Sequence, residues 1–205
     1  MIDIVATFIV FFAVIDPIGT VPVFIAVTTG YDAATRRRIA LLATIVAAGI
    51  LVFFIAAGEL ILNALSIPLS AFQIAGGIVL FLFALSMIFG ESKPDEEVRM
   101  ASDHSETAIF PLAVPSIAGP GAMLAAVLLT ENMRVSIWEQ VQTAGVMLAV
   151  LLIVYVLMLA AGVINRVIGK GGASVVSRVM GLILSAVAVS NTLEGLKSYG
   201  SLWGP

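Results

Sequence analysis

The sequence predicts an all-α polytopic membrane protein, with six transmembrane helices arranged as two inverted three-helix repeats and helices 1 and 4 broken near the midplane. Three observations predict it. Of the 205 residues, 60% are hydrophobic and only 11% are charged, and the mean hydropathy is +1.14, more apolar surface than a soluble fold can bury. Six apolar stretches reach the roughly 20 residues needed to cross about 30 Å of hydrocarbon. The first and fourth of them carry clustered Pro and Gly near their midpoints.

In order, the predicted spans cover residues 3–28, 39–62, 71–89, 107–130, 140–165 and 176–196. The second, third and fifth are uninterrupted. The last has Arg178 near its start and Asn191 and Glu194 near its end, where long charged side chains can snorkel to an interface. The first Lys or Arg is Arg36, so the opening apolar stretch lacks a signal peptide's basic region and is read as mature protein. The chain is expected to be a single membrane domain over 1–205, divided into a first repeat (1–89), a polar cytoplasmic linker (90–106) and a second repeat (107–205).

Charge gives the orientation. With the N-terminus on one side, loops on the opposite side carry Arg36, Arg37, Arg38, Lys93, Arg99, Arg166, Lys170 and Arg178, against only Arg134 and Lys197 on the first. Basic loops stay in the cytoplasm, so both termini are expected outside, in the periplasm of a host with an outer membrane. The implied location is the inner (cytoplasmic) membrane.

The repeat rests on self-similarity. A shift of 100 residues superposes Ala13-Val14 on Ala113-Val114, Gly19 on Gly119 and Ala26-Val27 on Ala126-Val127. A shift of 105 aligns Gly76, Ile78 and Gly90 with Gly181, Ile183 and Gly195. Span one thus pairs with four and span three with six. Because each half has an odd number of spans, the second enters the membrane from the other side, an arrangement typical of secondary transporters.

The interruptions are Asp16-Pro17-Ile18-Gly19-Thr20-Val21-Pro22 in span one and Pro111 with Pro115-Ser116-Ile117-Ala118-Gly119-Pro120-Gly121 in span four. Proline removes a backbone donor and clashes with the preceding turn, and glycine weakens what remains, so each segment is expected to unwind or kink. Asp16 before Pro17, Thr20 ahead of Pro22, and Ser116 or Gly119 ahead of Pro120 read as N-caps that restart a helix. Non-helical backbone at mid-depth survives only when buried in protein or lining a wet cavity, so the two breaks are expected to face a common site. Helix N-termini there suit a carboxylate, and freed carbonyls suit a cation or ammonium. A small zwitterion satisfies both.

The candidate substrate-binding residues are therefore Asp16, Pro17, Gly19, Thr20, Ser116, Gly119, Pro120 and Gly121. Asp16, the acid nearest the midplane, is also a candidate for coupling to a cation or proton, and equally reads as a helix cap. Glu59, Gln73 and Asn191 are secondary candidates for coupling or gating, although an interfacial carboxylate for Glu59 and inter-helix hydrogen bonds for Gln73 and Asn191 explain them more readily.

Other function classes fare worse. There is no Cys, and the single His104 lies in the polar linker, so neither thiolate metal ligands nor redox chemistry is expected, and no cofactor beyond a coupling H+ or Na+. A net charge of -3 gives no electrostatic footprint for nucleic acid. An intramembrane enzyme needs a nucleophile with a base, or paired acids, and the midplane offers only Asp16. A channel needs a lined pore, and no ring-forming run is present. A non-transporting membrane stress factor leaves the paired breaks unexplained. The expected partners are membrane lipid and a small zwitterionic substrate, and the oligomeric state is not legible.

At Asp16-Pro17-Ile18-Gly19-Thr20-Val21-Pro22-Val23-Phe24 and at Pro111-Leu112-Ala113-Val114-Pro115-Ser116-Ile117-Ala118-Gly119-Pro120-Gly121-Ala122, the sequence resembles the MarC family of bacterial and archaeal inner-membrane proteins, also called the neutral amino acid transporter family. The similarity spans essentially the whole chain. The resemblance implies six spans with both termini outside and movement of small neutral amino acids such as glycine and alanine. Export of other small metabolites is the alternative it leaves open.

Overall fold

The computed structural model describes residues 2–89, 108–130 and 135–200, and every element among them is helical. The predicted linker at 90–106 lies outside these residues. The elements are α1 (Ile4–Ile15), α2 (Pro17–Val27), α3 (Ala33–Ala64), α4 (Leu69–Phe89), α5 (Ala108–Ile117), α6 (Pro120–Leu128) and α7 (Ile137–Gly200). Five stretches are long and apolar enough to cross a membrane: Ile4–Val27, Ala33–Ala64, Leu69–Phe89, Ile137–Ile164 and Ser174–Gly200. The bent pair α5 and α6 makes a sixth. The chain is an integral multi-pass membrane protein.

Two ends are set by polar side chains outside the apolar stretches. Asp32 caps α3 by accepting from the Ala34 N–H at 3.1 Å and from the Thr35 hydroxyl, so the helix begins six residues before the predicted span. The Thr35 hydroxyl first, then the Ala34 amide, hold the Asp32 carboxyl below the usual carboxylate range. A depressed carboxyl keeps the cap charged at neutral pH and loses it only as pH falls through that lowered value. At the start of α7, the Ser136 N–H and Oγ–H donate to Glu139 Oε2 at 3.0 and 2.9 Å, and the Glu139 N–H returns to Ser136 Oγ at 3.4 Å. This reciprocal capping box starts the helix at Ile137, three residues before the predicted span.

α7 is 64 residues long. Laid straight at about 1.5 Å per residue it would measure about 96 Å, roughly three hydrocarbon thicknesses. It turns back instead, giving two limbs, Ile137–Ile164 and Ser174–Gly200. The Gln140 amide donates to the Thr130 carbonyl at 3.4 Å, while Leu128 and Leu129, beside Thr130, share a cavity with Asn191, Glu194 and Ser198. Both ends of α7 therefore lie at one end of the bundle, called below the terminal end. The stretch between the two limbs, 165–173, holds Gly169, Gly171 and Gly172.

Small residues fill the interior. Ala40, Ala43 and Ala47 of α3, Ala113 of α5, Ala118 between α5 and α6, and Ala122 and Ala126 of α6 are fully buried, while Leu41, Ile45, Val52, Phe53 and Leu60 of α3 face outward. In lipid, apolar exposure costs nothing, so helices associate through close packing of small residues. The seam between α4 and the second limb of α7 is the clearest case. A Cβ on Gly77 would sit 2.3 Å from Thr192 Oγ1 and 3.0 Å from the Ala188 carbonyl, and one on Gly181 would sit 2.9 Å from the Ala84 carbonyl. Gly77→Ala must therefore push two backbones apart, with an expected loss of about 1–3 kcal/mol. Thermal unfolding in detergent checks this against Gly145→Ala, whose new methyl meets nothing within 4 Å and which should leave the midpoint in place.

Candidate functional site

The first break is a single residue. Pro17 disfavours right-handed helical geometry at the residue before it, and Asp16 adopts φ 50, ψ 67 in the left-handed region, which Asp tolerates better than most side chains. Asp16 closes one helix and opens the next. Its N–H donates to the Phe12 carbonyl at 3.2 Å, its Oδ1 accepts from the Gly19 N–H at 2.9 Å, and its carbonyl accepts from the Thr20 N–H and hydroxyl, both at 3.0 Å. Pro17, in the first turn of α2, needs no partner for an amide hydrogen it lacks. Gly19 is required by contact: a Cβ there would lie 1.9 Å from Asp16 Oδ2.

The unwinding is narrower than the sequence suggested. Pro22 sits inside α2 without ending it; it leaves the Ile18 carbonyl without its helical donor, but helix resumes on both sides. Thr20 is accordingly not a restart point, and its hydroxyl folds back onto α2.

The second break is broader. Within α5 the backbone is extended at Phe110 (φ -132, ψ 125) and Val114 (φ -131, ψ 126), each immediately before a proline. The Ala118 N–H reaches back five residues to the Ala113 carbonyl at 2.8 Å. Gly119 then caps α6 with no side-chain hydrogen bond, Pro120 opens that helix, and α6 departs from α5 at 55°. A Cβ on Gly119 would lie 2.7 Å from the Pro115 carbonyl. The two restarted helices thus differ at their N-termini: α2 is capped by its own Asp16, whereas no side chain caps α6.

The halves of the two broken spans pack crosswise, α1 against α6 and α2 against α5. With 12 and 11 residues on either side, Asp16 lies about 18 Å along a span of about 35 Å. Ile15, Asp16, Thr20, Ile117 and Ala118 are all less than 5% exposed. Pro17, Gly19, Gly119 and Gly121 are buried as well, and Ser116 and Pro120 are half-buried. Asp16 is the one buried charged side chain among the described residues.

A cavity of about 390 Å³ opens beside the breaks rather than on them, between α1, α4, α6 and the second limb of α7. None of the eight residues expected to contact substrate is in its lining. Its polar wall is Ser70, Gln73, Asn191, Glu194 and Ser198. Two of these, Gln73 and Asn191, are secondary candidates from the sequence; Glu59, half-buried in α3, is outside the lining. The other three went unrecognised, although Ser70 with Gln73, and Asn191 with Glu194 and Ser198, recur at the three- and four-residue spacing of one helix face. The cavity approaches both breaks, since Val14 of its lining is two residues before Asp16 and Ala125 is one turn beyond Gly121.

Comparison with known proteins places this architecture. The family model described as MarC family integral membrane protein matches residues 1–199. The chain belongs to the MarC family. Among its relatives, UPF0056 membrane protein MJ1677 of Methanocaldococcus jannaschii is 36% identical over 189 residues, covering 91% of this chain and 92% of that one. UPF0056 membrane protein YvbG of Bacillus subtilis is 34% identical over 199 residues, covering 95% and 94%. No solved structure matches. The two Pro- and Gly-rich segments, 16–24 and 111–122, coincide with the two backbone breaks, so what they encode in this chain is helix interruption.

Proposed function

We propose that the protein is a secondary transporter of small neutral amino acids, of glycine or alanine size, across the cytoplasmic membrane, coupled to a proton or sodium gradient. One observation carries the reading: two helices broken at mid-depth, buried against each other, with the one buried carboxylate among the described residues at one break and an uncapped helix N-terminus at the other. Unsatisfied backbone in lipid is expensive, and it is retained where it serves a site. The uncapped start of α6 at Gly119–Gly121 suits a substrate carboxylate. Asp16 suits the ammonium end or the coupling cation.

In this reading the halves 1–89 and 107–205 are inverted repeats that rock about the paired breaks, and both termini are outside the cell. The cavity lined by Gln73 and Asn191 is the approach from the terminal end. A small amino acid fits 390 Å³ with water to spare.

The test is transport by purified protein in liposomes, with labelled glycine and alanine under imposed pH or sodium gradients. Concentrative, counterflow-competent uptake is the expected result; flux that never exceeds equilibration and shows no counterflow would favour a channel. Asn191→Phe, which fills the cavity, should lower flux by about tenfold or more, equivalent to about 1.4 kcal/mol on the limiting step. Full activity in that variant would remove the cavity from the route.

A further inference from the structure

At the opposite end of the bundle a second, smaller cavity of about 140 Å³ is lined by Phe24, Ala33, Arg36, Arg37, Met158, Leu159 and Gly162. The transport reading makes no use of it. It lies where α2 ends, α3 begins and the first limb of α7 leaves its apolar stretch, the level at which hydrocarbon gives way to headgroups. Arg36 is held in place, its guanidinium carbon 5.7 Å from the centre of the buried Phe24 ring, a cation–π contact. Among the described residues neither Arg36 nor Arg37 is paired with a carboxylate. The nearest acid in sequence, Asp32, is engaged with the Ala34 amide and the Thr35 hydroxyl.

We infer that this cavity seats the headgroup phosphate of an anionic phospholipid. Two guanidiniums supply planar, multidentate donors of the kind that recognise phosphate, and basic pockets between membrane helices are a known form of lipid recognition. The opposite wall is apolar, formed by Met158 and Leu159, and continues along the outward face of the first limb through Val156 (53% exposed) and Val163 (67% exposed). The cavity is too small for a whole lipid, so the phosphate enters and the acyl chains run outside along that face. A soluble anion would have no use for the apolar half of the site, and for this reason a lipid is the assigned occupant. The inference is independent of the transported substrate.

Native mass spectrometry of the detergent-purified full chain tests it, with phosphatidylglycerol and phosphatidylcholine of matched chains in competition. Wild type should retain phosphatidylglycerol with about tenfold or greater preference, as two interfacial arginines imply. Arg36→Gln with Arg37→Gln should bring the two lipids to parity, whereas Arg38→Gln, which removes the same type of charge outside the cavity, should leave the preference intact. Gly162→Phe keeps every arginine and adds bulk to the cavity lining; a Cβ at Gly162 meets nothing within 4 Å, and this variant should also lose the preference. Parity in wild type, an Arg38→Gln effect equal to that of the pair, or a Gly162→Phe protein that still selects phosphatidylglycerol would overturn the assignment. Displacement of the lipid by millimolar inorganic phosphate would reassign the site to a soluble anion and overturn it equally.

Discussion

Asp16→Asn is expected to fold like the wild type and to lose gradient-driven amino acid flux. Asn accepts a hydrogen bond from the Gly19 N–H as Asp does, ranks with it as a helix cap, and tolerates the left-handed backbone at φ 50. The break, the cap and the packing should all survive. What disappears is the carboxylate, the one buried charged group among the described residues, and with it the group that attracts a cation or exchanges a proton at mid-depth. Coupled uptake should fall to the level of empty liposomes while thermal unfolding stays within a few degrees of wild type. Asp16→Ala should fail differently. It loses the cap, about 1 kcal/mol, and with it the short polar side chain whose local hydrogen bond makes the left-handed backbone tolerable. Undiminished gradient-driven flux in Asp16→Asn would remove Asp16 from the coupling role.

Gly19→Ala is expected to damage stability and flux together. The new methyl carbon would lie 1.9 Å from Asp16 Oδ2 and 2.6 Å from Cγ, so the carboxylate must leave the Gly19 amide. Loss of the cap and a buried charge stripped of its donor together amount to about 2–4 kcal/mol, offset by about 1 kcal/mol for Ala over Gly in a helix. The net expectation is a loss of about 1–3 kcal/mol, with a displaced carboxylate at the proposed site. Gly49→Ala in α3 separates this from generic helix effects. Nothing lies within 4 Å of its new methyl, and the substitution should be neutral or mildly stabilising. Wild-type unfolding and flux in Gly19→Ala would show that the carboxylate does not fold over the start of α2.

Much of this was legible in the sequence because lipid imposes a simple accounting on it. Apolar length marks each span, and a proline at mid-depth must be answered by a cap, so Asp16-Pro17 and Gly19 already name the first break. Gly181, met in the sequence as a repeat match, and Gly77 prove to be close-contact positions in the seam between α4 and α7. What hydropathy cannot give is where a helix ends outside the hydrocarbon: α3 and α7 start earlier than their spans because Asp32 and the Ser136–Glu139 box cap them in water. Nor does a proline state how far it unwinds the chain. Pro22 is absorbed within α2, whereas Pro111 and Pro115 leave α5 irregular at Phe110 and Val114. The cavity was the least legible feature. Its wall joins Ser70 and Gln73 of one helix to Asn191, Glu194 and Ser198 of another, and only the packing of those helices decides which polar faces meet.

A substrate site at the breaks requires that water and substrate reach the first break from the terminal end. The chain has no native cysteine, so Val14→Cys, in the cavity lining two residues before Asp16, can be labelled without background. A small, membrane-impermeant thiol reagent applied at that end in proteoliposomes should modify it, and saturating glycine or alanine should slow the modification several-fold. A cysteine there that reacts only with lipid-soluble reagents, or at a rate indifferent to both amino acids, would contradict a substrate site at the breaks.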